Sequence, residues 1–240
     1  RMSGAFLFYF SSYGNAGNPL KNALSMEKYC HKNGDERETA YLLCKKQEVN
    51  MGYKIPVRLS NRHCHLTPAT IRKLFGENEP TFLRYLTGNE GPFAYKETLA
   101  VRGPKGEIPS IRFLGGPQKP EDQVELLQGD NFILGIDAPL RMSGQLEDAA
   151  TAILVGPAGE VEIKAFIVAK RHIHLYEKTA EKLGIANNQI VQVRCGGERG
   201  LIFDNVVVRL TKEDLTVMHI DFDEANAAGL KNFDMVEILE

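Results

Sequence analysis

The stretch RHCHL occupies residues 62–66, and RHIHL occupies residues 171–175. The chain has six histidines in 240 residues, and these two stretches use four of them. Random placement of that many histidines gives roughly 0.15 His-x-His pairs, so two pairs in one frame need a cause. The match extends outward. RLSNRHCHLTPATIRKLFG (58–76) aligns with IVAKRHIHLYEKTAEKLGI (167–185) at an offset of 109 residues. Each copy reads as a strand, the histidine pair and a helix, which marks an internal repeat.

The surrounding sequence is mostly β in pattern. KIPVRLS (54–60), ETLAVRG (97–103), IRFLG (111–115), DQVELL (122–127), TAILVG (151–156), VEIKAFIVAK (161–170), QIVQVRC (189–195), GLIFDNVVVRL (200–210), LTVMHID (215–221) and DMVEIL (234–239) are short apolar runs parted by turn residues. VRGPKGE (101–107) and LVGPAGE (154–160) read as hairpin turns. Helices are expected at 67–76, with Thr67 as N-cap, Pro68 at N1 and Gly76 as the stop, and also at 176–185 and 223–230. Many short strands with few helices indicate a sandwich or barrels. Two similar β units facing one another are the simplest arrangement of the repeat. The expected division is an N-terminal extension over 1–52, a first half over 53–150 and a second over 151–240, with strand exchange between the halves allowed. The extension holds two modest helix candidates and His31, which reads as solvated.

Composition narrows the function classes. Hydrophobic residues make up 43% and charged residues 25%, with a net charge of −2. Those proportions suit a globular chain with a core and do not suggest nucleic-acid binding. No apolar run approaches the ~20 residues of a membrane span. AFLFYF (5–10) lacks the layout of a signal peptide. The four cysteines are scattered, which points to a reducing compartment.

On a strand, residues i and i+2 share a face with Cα atoms about 6.6 Å apart, so two imidazoles can converge on one metal ion. On a helix the same spacing points them about 200° apart. His63 with His65, and His172 with His174, therefore read as chelating pairs, and zinc suits imidazole with oxygen ligands. His219, in TVMHID, is a fifth candidate. Glu125 and Glu97 compete for the acidic ligand. Cys64 lies between two candidate ligands and should face the other way, as a buried apolar residue. Arg62, Arg171, Arg112, Arg141 and Lys119 supply cations suited to an anion such as phosphate.

Taken together, VRLSNRHCHLT, FAYKET, VRGPKGEI, IRFLGGPQKPEDQVEL, GIDAPLRMSG, AKRHIHL and MHIDFDEANAAG resemble the PduL-type phosphotransacylases, or phosphate propanoyltransferases, over roughly residues 54–240. The resemblance implies a mainly β fold with a few short helices: two β-barrel domains related by the repeat and capped by short α-helices. It implies interconversion of acyl-CoA plus phosphate with acyl phosphate plus CoA. Two zinc ions per chain are implied, one on His63, His65 and Glu125, the other on His172, His174 and His219. Coenzyme A contacts are implied at Ser60, Arg84, Arg112, Leu114, His219 and Asn226. Lys119 and Arg171 are the expected phosphate-facing cations. Lys119 stands where the family usually has arginine, and Met142 where it usually has aspartate. Glu121 and Asp122 add negative charge beside the expected anion site.

The implied setting is cytoplasmic, or inside a bacterial microcompartment if 1–52 serves as an encapsulation segment. A homo-oligomer is compatible with it, and neither nucleic acid nor membrane is a partner. The alternatives are a non-catalytic metal- and CoA-binding homologue and a zinc-dependent hydrolase.

Overall fold

Apolar residues at alternate positions make the strands, and short turns join them. The computed structural model describes residues 52–86, 88–116 and 120–239. The helix candidates, His31 and the encapsulation reading of the N-terminal extension lie outside the described residues, as does Lys119. In order the described elements are β1 (Tyr53–Ser60), β2 (His63–His65), α1 (Pro68–Phe75), β3 (Phe82–Tyr85), β4 (Phe93–Arg102), β5 (Glu107–Gly115), β6 (Gln123–Leu126) and α2 (Asp130–Leu134). They continue as β7 (Leu140–Arg141), β8 (Ala150–Val155), β9 (Glu160–Ala169), β10 (His172–Tyr176), α3 (Glu177–Leu183), β11 (Ile190–Cys195), β12 (Leu201–Thr211), β13 (Val217–Asp221), α4 (Phe222–Ala228) and β14 (Met235–Leu239). No helix among the described residues is long and apolar enough to cross a membrane.

The strands close into two six-stranded barrels, as expected for this fold class. One runs β2-β5-β4-β8-β9-β6, with β3 added beside β4 and β7 beside β9. The other runs β10-β12-β11-β14-β1-β13. The two rings match strand for strand. β2 lies parallel to β5 and antiparallel to β6, and β10 lies parallel to β12 and antiparallel to β13. β1 runs directly into β2 in the chain yet pairs in the second barrel, and β9 runs directly into β10 yet pairs in the first. The chain thus crosses between barrels immediately before each Arg-His-x-His.

Inward-facing residues fill each barrel. Cys64, Leu99, Phe113, Val124 and Phe166 lie in one core, and Ile55, Ile173, Leu175, Met218 and Ile238 in the other. Full burial of a side chain such as Phe166 contributes about 2–3 kcal/mol relative to exposure. α1 begins as its sequence indicates: Thr67 Oγ1 accepts from Thr70 N, Pro68 opens the helix, and Gly76 ends it at φ 64°. Asp122 reinforces that cap, accepting from Thr67 N at 2.6 Å and Thr70 Oγ1 at 2.5 Å. The two Gly-Pro-x-Gly turns are hairpin turns, closed by Gly103 N to Gly106 O and Gly156 N to Gly159 O, both 2.9 Å. Each also receives a helix end. Lys105 N donates to Leu134 O of α2, and Ala158 N to Leu74 O of α1. Glycine is required at both turns because a Cβ would sit 2.2 Å from Leu134 O at Gly103 and 2.5 Å from Leu74 O at Gly156.

Candidate active site

Strand alternation sets the histidines apart from the cores. In β2, Cys64 is fully buried inside its barrel, so His63 and His65 project from the outer face. In β10, Ile173 and Leu175 point inward, and His172 and His174 outward. Register supplies a third group to each pair. His63 lies opposite Glu125 on β6, and His172 lies opposite His219 on β13. Glu125 and His219 therefore occupy equivalent places in the two barrels. His63 Nε2 stands 3.4 Å from Glu125 Oε2. Glu97 is elsewhere, with its carboxylate accepting from Thr81 N at 2.8 Å.

The first histidine of each pair is anchored alike. His63 Nδ1 lies 2.8 Å from the Asn61 carbonyl, and His172 Nδ1 lies 2.9 Å from the Lys170 carbonyl. A carbonyl can only accept, so each Nδ1 carries a proton, and each Nε2 is the ring nitrogen turned away from that anchor. His172 Nε2 stands 3.3 Å from His174 Nε2. The His219 ring stacks on His172, with centroids 5.2 Å apart, and meets His174 edge-on at 5.2 Å.

Burial holds all three imidazoles neutral. It lowers the pKa of His172, moves that of His174 to about 4 and moves that of His219 to about 3, with the neighbouring histidines adding to the last two shifts. His63 also depresses His219, and Glu125 acts on His172, so the two clusters lie within electrostatic reach of one another.

Buried neutral imidazoles and one carboxylate are the donor types that zinc takes. The 3.3 Å between the two Nε2 atoms matches the edge of a tetrahedron with Zn–N of about 2.0–2.1 Å. Donor chemistry and pair spacing thus fit zinc. Full convergence is not reached: among the described residues no group of three or more His, Cys, Asp or Glu is placed to hold a metal ion together.

A family model described as phosphate propanoyltransferase matches residues 56–231. The chain belongs to that family. It is 43% identical over 187 residues to the phosphate propanoyltransferase of Rhodopseudomonas palustris, covering 78% of this chain and 82% of the relative. It is 42% identical over 207 residues to that of Thermotoga maritima, covering 85% and 95%. It is 45% identical over 176 residues to that of Enterococcus faecalis, covering 72% and 82%. Phosphate propanoyltransferases are acyltransferases.

The remaining residues expected to act in this phosphate propanoyltransferase family member lie on β1, β3, β5 and α4. Arg112 and Leu114 on β5 lie in register with His63 and His65. Ser60 ends β1 opposite Asp221, and Asn226 is exposed on α4. Arg84 is exposed on β3, donating to the Tyr85 carbonyl. Asp122, expected to add charge beside an anion, is committed to the cap of α1.

Both motif arginines hold helices. Arg62 Nε donates to both carboxylate oxygens of Asp130, at 2.9 and 2.7 Å, at the start of α2. Arg171 donates to Glu224 of α4 at 2.7 Å and to the Asp204 carbonyl at 2.8 Å, with its guanidinium over Phe203.

The sequence reading missed two features. One is a cleft of about 230 Å³ beside His65, lined by Ile71, Phe93, Tyr95, Phe113 and Leu114 among others. Its rings continue to the exposed Phe82 and Tyr85 of β3. The other is Gln123, which donates to Glu125. The signal for it was a polar residue two places before the glutamate, on the same strand face.

Proposed function

We propose that the protein transfers a propanoyl or acetyl group between coenzyme A and phosphate at a site holding two zinc ions. The observation that carries this is the shared register. Each barrel presents a histidine pair and one further donor, Glu125 or His219, on its outer face, and the two clusters sense each other's charge. His63, His65 and Glu125 would hold one ion, and His172, His174 and His219 the other. Zinc bound there supplies Lewis acidity toward a carbonyl oxygen and charge compensation for a departing thiolate.

The chain's own groups do the rest. The carbonyls of Asn61 and Lys170 keep the Nε2 atoms of His63 and His172 aimed outward. Arg62 and Arg171 position α2 and α4 beside the clusters. We assign the phosphate contact to Lys119, whose ammonium offsets repulsion between phosphate and the developing oxyanion. A phosphate oxygen bonds to the thioester carbonyl carbon, the C–S bond breaks, and the products are acyl phosphate and CoA thiolate. Ser60, Arg84, Arg112, Leu114, His219 and Asn226 are assigned to coenzyme A. No protein nucleophile is used. The two sequence halves are taken as the two barrel units, with β1 of the first half exchanged for β8 and β9 of the second, and residues 1–52 as a targeting segment for a microcompartment.

The test is thiol release from propanoyl-CoA or acetyl-CoA with and without phosphate. Release that depends strictly on phosphate is expected, with His172→Ala losing both zinc and turnover. Phosphate-independent release, or a zinc-replete and active His172→Ala, overturns the reading.

A further inference from the structure

Gln123 is 2% exposed at the start of β6, where a polar side chain is costly unless fully bonded. Both of its amide hydrogens and its oxygen are engaged. Nε2 donates to Glu125 Oε1 at 2.6 Å and to Ser143 Oγ at 2.8 Å. Oε1 accepts from Gly144 N at 2.8 Å. A backbone N–H can only donate, so the amide cannot be flipped, and the NH₂ end must face the carboxylate. Glu125 is thereby divided in function: Oε1 is held by Gln123, and Oε2 faces His63 Nε2.

The second barrel provides an internal comparison. Gln123 stands in register with His65, and the corresponding residue opposite His174 is Val217, also 2% exposed. The barrel whose third donor is a carboxylate has a carboxamide at this place, and the barrel whose third donor is an imidazole has valine. A glutamate has three side-chain torsions and two equivalent oxygens, so it needs an outside partner to present one oxygen in one direction. An imidazole has two torsions and a single unprotonated nitrogen.

We infer that Gln123 is a positioning residue that fixes Glu125 as a single-oxygen donor to the ion at the first barrel, and that it ties this ligand to the 142–145 loop through Ser143 and Gly144. The inference rests on the metal reading above. Hydrogen-bonding partners of metal ligands set affinity by about 10–100-fold when removed. Gln123→Val removes the carboxamide. The double variant Gln123→Val/Glu125→His copies the second barrel's arrangement into the first.

The experiment measures zinc per chain and zinc affinity by chelator competition, with urea denaturation of the metal-free proteins as a folding control. The expected result is two zinc ions in the wild type, a loss of about 10–100-fold at one of two sites in Gln123→Val, and recovery to within a few-fold in the double variant. A merely structural role for Gln123 would leave the double variant no better than the single one, and that result overturns the inference. Unchanged affinity in Gln123→Val beside a two-zinc wild type overturns it alone. A wild type that binds no zinc overturns the metal reading and this inference with it. If Gln123→Val does not fold, Gln123→Asn, one methylene short of Glu125, is judged against the same outcomes.

Discussion

Cys64 lies between two candidate metal ligands, and its replacement separates direct attack by phosphate from a route through an acyl-cysteine. The thiol is fully buried, in one core with Leu66, Val124 and Leu126. Burial pushes its pKa well above the usual range, and Asp122 pushes it further. A thiol in that state has almost no thiolate at neutral pH, and its sulfur points away from the histidines. Cys64→Ser puts a hydroxyl into this apolar site at a cost of about 1–3 kcal/mol. For a domain of this size that is a fall of roughly 3–10 °C in Tm. Cys64→Ala leaves a small void and costs about 1 kcal/mol. Phosphate-dependent thiol release at a temperature where all three proteins are folded should agree within about twofold, because a group absent from the reaction changes no transition-state energy. A folded Cys64→Ala with turnover reduced by orders of magnitude, or an acyl label retained on the wild type in the absence of phosphate, would refute the direct route.

Other consequences follow from the same geometry. Arg62→Met strands the fully buried Asp130 with Leu127 N as a remaining donor, and should cost about 3 kcal/mol, the lower end for a broken buried pair because Arg62 is itself partly exposed. A urea-derived loss under 1 kcal/mol would count against that assignment. Metal-free protein should lose stability as pH falls. Burial lowers His172, His174 and His219, the last two to about 4 and about 3. The unfolded chain therefore binds more protons below its ordinary histidine pKa of about 6.5. Their contribution is complete above that pH and is lost from there toward pH 3, the lowest of the folded-state values, by at most about 1.4 kcal/mol per pH unit for each buried imidazole and less for the half-buried His174. Denaturation midpoints that stay flat across this window would contradict it.

The strands and their faces were legible because their signal is local. A period of two puts both histidines of a pair on one face whatever the strand pairs with, and the core confirms it at Cys64, Ile173 and Leu175. The cap of α1 was legible because Thr67, Pro68 and Gly76 act within a few residues. The choice between Glu97 and Glu125 was not settled by local pattern. Both lie on strands, and the register that sets Glu125 opposite His63 joins segments about sixty residues apart. Asp122 misled because a carboxylate in a loop beside basic residues looks solvated, whereas two donors of a distant helix start take its oxygens. α2 was missed because its five residues, DNFIL, are too few to show helical periodicity.

The exchange of β1 and β9 has a physical effect on the site. Each histidine pair begins at the point where the chain has just left the other barrel, so neither pair can be displaced without pulling on a strand of the opposite core. Arg62 and Arg171 sit at those two crossings and tie each to the helix that follows the third donor strand, α2 after Glu125 and α4 after His219. Gly129 N at the head of α2 donates to Asp223 of α4 at 2.9 Å, which joins the two helices directly. Loss of order in one barrel removes a strand from the other and releases a helix anchor in both. The two clusters are therefore held at their mutual distance by closed rings of hydrogen bonds rather than by a flexible hinge.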